Sequence, residues 1–337
     1  MGAKRNPVPV GAAVAAVIAA AMTAGLFGCS NSDPQPRPTP QPPPGTVTPT
    51  SPVRPGVSPF TGLPAKAAPV LAIKVDNVPP ARPHTGLGAA DIVYVEQVEA
   101  GQSRILAVYS SRLPATVGPV RSARESDLEL LRQFGRPALA YSGEQSALRP
   151  LINAAPLYPL TPGQAPGAYF RGQDRPAPYN LYVRPERALA AAPEADKAKD
   201  IGFRFGAAPE GGRQVNEHTV RYPAARYTFT WSDTSKRWLV AMDGAPARTT
   251  DGGQAAARTV VVQKTDVQPS RFKDRGGNVT PYTKTVGSGT ALVLRDGESH
   301  DARWSRTTAD GGTTFTTPGG QPLRFAPGQV WVLLTGR

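Results

Sequence analysis

From about residue 70 onward the chain is written in short apolar runs separated by turn-forming residues. Residues 70–75 (VLAIKV) read as a buried strand that stops at Asp76-Asn77, and Pro79, Pro80 and Pro83 then form a loop. Residues 91–99 (DIVYVEQVE) and 104–110 (RILAVYS) are two more strand patterns. The intervening Ala100-Gly101-Gln102-Ser103 predicts that they pair as a hairpin. Alternation places Ile92, Tyr94, Glu96 and Val98 on one face and Val93, Val95, Gln97 and Glu99 on the other.

The period then changes. Ser122 and Glu125 have the spacing of a capping box, Leu128, Leu131 and Phe134 follow at helical spacing, and Gly135 is a natural stop. This predicts a helix over 123–134. Residues 137–142 (PALAYS) read as a strand, a second helix is expected to open at Ser142–Gln145, and a third at Arg184-Pro185-Glu186, where proline suits the first turn. Beyond residue 215 the strand patterns are 226–231, 238–242, 259–263, 290–294, 303–307 and 330–334, punctuated by Asp-Gly turns at 243, 296 and 310. The expected class is α+β: a mixed α/β domain over 59–210 followed by a mostly antiparallel β domain over 215–337.

The first 58 residues follow neither period. Lys4 and Arg5 precede an alanine- and valine-rich apolar stretch from about residue 10 to 27, and Gly28 stands before Cys29. A positive start, an apolar centre and a small residue at the cut make a secretory signal. A cysteine at this point is where a bacterial lipoprotein carries its lipid, so residues 1–28 are expected to leave and Cys29 to become the lipidated terminus. One acyl chain anchors only marginally, whereas a diacylglycerol on the sulfur supplies two. Residues 29–58, crowded with proline and poor in apolar side chains, are expected to form an extended linker. At roughly 3 Å per residue it could reach on the order of 80 Å from the membrane.

Composition narrows the chemistry. Cys29 is the one cysteine, so an intrachain disulfide, a cysteine nucleophile in the folded part and a thiolate metal site are excluded. The three histidines, His84, His218 and His300, are far apart with no i, i+4 pair, which argues against a zinc site. No phosphate-binding loop or dinucleotide fingerprint is present, and no metal or cofactor is expected. The formal charge of +13 suits attraction to anionic lipid or wall polymer, but general arginine enrichment is enough to account for it. Nucleic acid fits poorly, because no basic run is interleaved with aromatics.

Three constellations could carry function. In GPVRSAR (118–124), Arg121, Ser122 and Arg124 surround a helix start, where an anion could be held by guanidinium groups and free N–H groups. The alternative is that these arginines pair internally with Glu96, Glu99 or Asp127. The set Asp76, Asn77, Asp91, Glu96 and Glu99 contains carboxylates that could act as acid and base on a glycosidic bond, with Asp76, Glu96 and Glu99 the candidates. Arg104, just across the hairpin turn, is the cation expected to pair with Glu99. The polar loop 171–180 reads first as an ordered surface loop, with Arg171 and Asn180 as its candidate ligand contacts.

The ordered runs ADIVYVEQVEAG, SRILAVYSS, GPVRSAR and RPAPYNLY resemble the YerB-like family of bacterial lipoproteins, and GSGTALVLRDG, RWSR and GQPLRFAPGQVWVLL resemble that family's C-terminal domain. The resemblance spans nearly all of the chain from residue 59. It implies an exported, lipid-anchored protein of two domains and carries no activity with it. Tyr179 stands where family members usually have histidine, which removes that base and favours binding over catalysis. The expected partners are therefore the membrane, through the lipid, and a wall polymer or another envelope protein. Replacing the anchor tests the address: Cys29→Ala should release the protein or leave it unprocessed, as read by fractionation and mass. Mature-size protein still in the membrane would contradict the anchor.

Overall fold

The computed structural model describes residues 55–337 except Arg275. The signal sequence, Cys29 and nearly all of the linker lie outside the described residues. The last linker positions do not: Val57 bridges to Pro64, and Ser58 is buried.

Ten strands in chain order build the centre of the molecule. They are β1 (Leu71–Val75), β2 (Ile92–Gln97), β3 (Ser103–Tyr109), β4 (Ala138–Ala140), β5 (Tyr158–Leu160), β6 (Thr259–Thr265), β7 (Gly287–Arg295), β8 (Glu298–Arg306), β9 (Thr314–Thr316) and β10 (Val330–Gly336). Their spatial order is β9-β8-β7-β6-β10-β2-β3-β1-β4-β5, and the short Arg213–Gln214 strand completes an eleven-stranded sheet beside β8. The β2–β3 hairpin has the expected antiparallel register, with Glu96 opposite Arg104. Strand β10, from the far end of the chain, runs parallel to both β2 and β6: Val330 lies opposite Ile92 on one side and Thr259 on the other.

The halves divided near residue 215 thus share one sheet. At that point the chain leaves the sheet, builds a five-stranded layer from Glu217–Tyr222, Ala225–Ser232, Arg237–Met242, Ala245–Pro246 and Ala256–Ala257, and returns at β6. This layer covers one face of the main sheet, where Val93, Val95, Trp331 and Leu333 meet Tyr227, Phe229 and Trp238. The opposite face, with Ile92, Tyr94, Val108, Val261 and Val332, is covered by helices and by Phe134, Phe203 and Phe325. Burial on both faces explains why β2 is apolar at every position from Ile92 to Val95 and not strictly alternating.

The helices are shorter than their periodicity suggests. Helix α1 spans Glu125–Leu131 and tightens into a 3-10 turn over Arg132–Phe134, where Gly135 at φ +83° ends it. Helices α2 (Arg149–Ala154) and α3 (Pro185–Ala190) are single short segments. The expected mixed α/β N-terminal half is thus mainly strands and loops, and the protein as a whole is strand-rich. The expected capping box is displaced by two residues: Arg124 is the N-cap, and Asp127 rather than Glu125 accepts its N–H at 2.7 Å. One hairpin was not legible from pattern. Val267–Lys273 pairs with Val279–Thr283 and docks on α1, where Ser126 Oγ accepts the Thr283 N–H and Glu129 accepts the Tyr282 hydroxyl, both at 2.9 Å.

Trp331 is fully buried between the two layers, edge-on to Phe229 at 5.9 Å and Tyr227 at 6.4 Å between ring centroids. Trp331→Ala should lower the unfolding free energy by about 3–5 kcal/mol, measured by urea denaturation. A loss below about 1 kcal/mol would show that β10 is not a core strand.

Candidate functional site: an arginine-lined cleft

The row of residues just beyond the end of β1 builds one wall of a cleft. On β3, Arg104 follows the pairing of Val75 with Ile105, and it faces Glu96 on the adjoining β2. Asp76 continues β1 past that pair, so Asp76, Arg104 and Glu96 lie side by side across three neighbouring strands. The GPVRSAR run then crosses this end of the sheet. The Arg121 N–H donates to the Lys74 carbonyl at 2.8 Å, the Val120 N–H to Leu181 at 2.7 Å, and the Ala123 N–H to Gly143 at 3.0 Å. Gly118 is required by the same close approach: a Cβ there would sit 2.7 Å from the Tyr182 ring and 2.9 Å from the Leu181 carbonyl.

The resulting open cleft has a volume of about 1000 Å³, at the upper end of the ~300–1,000 Å³ typical of small-molecule sites. Among the described residues, six cationic side chains line it (Arg104, Arg121, Arg124, Arg149, Arg171 and Lys273) against four carboxylates, Glu99, Glu125, Glu144 and Asp274. Ser122, Ser142 and Ser146 add hydroxyl-bearing residues to the wall. Both halves of the chain contribute, since Phe272, Lys273, Asp274 and Thr280 come from the docked hairpin.

The arginines are held in different ways. Arg124 grips Glu99 with two parallel hydrogen bonds, Nε to Oε1 at 2.7 Å and Nη2 to Oε2 at 2.8 Å, and the Thr280 hydroxyl donates to the same carboxylate at 2.6 Å. Glu99 is therefore the partner of Arg124, not of Arg104. Arg121 reaches Asp76 at 3.0 Å and is about one-third exposed. Arg104 is buried 3.9 Å from the other Asp76 oxygen, and its Nε has no hydrogen-bond partner. Burial and the neighbouring Arg124 charge lower the Arg104 pKa to about 10, so it stays cationic at neutral pH. Arg171 is exposed on its strand and donates to Asn180 Oδ1 at 2.7 Å, while Asn180 Nδ2 donates to the Gly172 carbonyl at 2.9 Å.

The sequence-derived candidates thus divide. Arg104, Arg121, Ser122, Arg124 and Arg171 share the cleft; Asn180 stands behind Arg171 as its support. Tyr179 is half-buried and not part of the lining. The helix start is not an anion site, because Asp127 already occupies it. Of the acid–base candidates, only Glu99 lines the cleft. Burial pushes its carboxyl up, but the Arg124 hydrogen bonds and charge, with Thr280, outweigh this and hold it at about 2. Glu96 faces Lys74 under the sheet, and Asp76 is shared by Arg121 and Arg104. A general acid needs a pKa near the operating pH, and Glu99 is held well below it. Sequence reading missed Arg149, Lys273 and Thr280, which reach the site only through tertiary packing.

Residues 60–199 match the family described as "Protein of unknown function (DUF3048) N-terminal domain", and residues 218–332 match its C-terminal domain. The chain belongs to this family. It is 25% identical over 273 residues to "Putative lipoprotein YerB" of Bacillus subtilis (strain 168), covering 78% of this chain and 80% of the relative. The crystal structure of the B. subtilis YerB protein shares the fold with a TM-score of 0.70 at 21% identity, over 83% of this chain and 97% of that one. Among the described residues no helix is long and apolar enough to cross a membrane, and no group of His, Cys, Asp and Glu is placed to hold a metal ion.

The Glu99–Arg124 pair predicts an acid-labile contribution to stability. The folded-state pKa of about 2 lies below the ordinary 4.5, so the contribution is complete above pH 4.5 and is lost as pH falls through 2. It should amount to about 2–3 kcal/mol. In Glu99→Gln the fall in stability over this window should be smaller by that amount; identical pH profiles for the two proteins would refute the pairing.

Proposed function

We propose that this protein is a non-enzymatic envelope lipoprotein, tethered through Cys29 on the outer side of the membrane, whose cleft binds an anionic wall polymer. The observation that carries the reading is the cleft itself: an open volume of about 1000 Å³ in which, among the described residues, cations outnumber carboxylates. Arginine suits phosphate or carboxylate because its planar fork donates two parallel hydrogen bonds. Arg121 and Arg171 are exposed enough to turn toward a ligand, and the serines can hydrogen-bond a polyol or sugar. The name of the B. subtilis relative supports the lipid anchor, and the proline-rich linker would give the cleft reach into the wall. Hydrolysis finds no support in this geometry, since Glu99 is ionised and clamped and Glu96 is outside the cleft.

Binding can be measured with an isolated glycerol-phosphate wall polymer, with a neutral glycan as control. The intact protein should bind the polymer and weaken with added salt. Arg121→Ala/Arg171→Ala should weaken binding by roughly tenfold or more, as expected for losing charge-assisted hydrogen bonds. Full affinity in that double variant, or equal binding of the neutral glycan, would refute the assignment.

A further inference from the structure

Beneath the cleft wall lies a second group of charges that the binding reading does not use. Lys74 on β1 is completely buried, and its Nζ contacts Glu96 Oε1 on β2 and, at 2.7 Å, Asp127 Oδ1 on α1. Glu96 is 3% exposed and Asp127 not at all. Apolar residues of the same core, including Ala72, Tyr94, Leu106 and Leu130, share this face of the sheet. Glu96 Oε2 has no hydrogen-bond partner. Asp127 Oδ2, by contrast, accepts the Arg124 N–H at 2.7 Å. An ordinary buried ion pair closes with one carboxylate. Here one amine is pressed between two, in an apolar setting where separated charges are costly.

We propose that Lys74 and Asp127 condense to an intramolecular amide, an isopeptide bond, with Glu96 as the proton carrier. The chemistry is complete within the triad. A proton passes from Lys74 Nζ to Glu96, and the freed amine attacks Asp127 Cγ to form the N–C bond. Negative charge that develops on Oδ2 is met by the Arg124 N–H, a fixed donor already in place. Glu96 hands that first proton to Oδ1 and then carries a second from nitrogen to the same oxygen, the Cγ–Oδ1 bond breaks and water leaves. One ammonium and one carboxylate become one amide and one water, Glu96 returns to its starting state, and no oxidant or co-reactant is needed. Burial, with the Asp127 charge adding to it, raises the Glu96 pKa despite Lys74, which favours the protonated form the relay requires. Three packed elements hold the reacting groups in contact, the condition under which an intramolecular reaction replaces a slow bimolecular one.

The bond would staple β1 to α1 across 53 residues, enclosing Asp76, Arg104, Arg121 and Arg124. A chain whose one cysteine is Cys29 cannot staple itself with a disulfide.

The test is peptide mapping of the full chain purified from membranes. Trypsin should yield residues 67–104, uncut at the amidated Lys74, joined to residues 125–132 as one branched species, lighter than the sum of those two peptides by one water. Lys74→Arg, which keeps the charge, should give two separate peptides, and so should Glu96→Gln. Separate, unmodified Lys74 and Asp127 peptides from the wild-type chain would overturn the proposal, leaving an ion triad only. A branched peptide persisting in Glu96→Gln would overturn the role given to Glu96. The wild-type result is decisive even where a variant fails to fold.

Discussion

The pairing of β10 with β2 and β6 is the contact on which the rest of the architecture depends. It brings the last strand of the chain into the middle of a sheet begun at residue 71, with residues 330–333 beside 92–95. A parallel strand in this position cannot come from a neighbouring hairpin and must be delivered by a long crossover. Its arrival fixes the layer of residues 217–257 over one face through Trp331. It also places β6 to β9, and with them the hairpin of 267–283, against α1 on the other face. That hairpin supplies the far wall of the cleft, so the site exists only once both ends of the chain have met.

The charges are arranged by the same geometry. Residues of β1, β2 and β3 that share one face become polar where the strands reach the cleft: Lys74 and Asp76, Glu96, and Arg104. Burying such groups is costly unless each finds a partner, and most do. Arg124 is matched by Glu99 and Thr280, Arg121 by Asp76, and Lys74 by two carboxylates. What remains unmatched points to function. The excess of cations among the described residues lines the cleft, the buried Arg104 Nε is left 3.9 Å from Asp76, and Glu96 keeps Oε2 unpaired while Oε1 meets the buried amine.

Local pattern made much of this legible. The β2–β3 hairpin, the strands after residue 215, the helix ended by Gly135 and the GPVRSAR arginines all follow from period, turn residues and spacing. What the pattern could not carry was pairing between distant segments. Nothing in residues 330–336 says that they lie beside residues 92–97, and nothing near Glu99 says that its partner is Arg124 and not the closer Arg104. The hairpin of 267–283 was hidden because its strands are polar, contain prolines, and gain their apolar contacts and hydrogen bonds only by docking on α1. The helices were over-read because α1 turns into a 3-10 segment that preserves side-chain spacing for another turn.

The central claim is that the cleft, walled by both halves of the chain, is where the ligand sits. Hydrogen exchange on the intact protein, with and without anionic wall polymer, tests it directly. Protection should rise together at residues 121–124 and 272–280, the two walls, and little elsewhere. Unchanged exchange at both walls while the polymer is bound, or protection confined to another surface, would contradict the account.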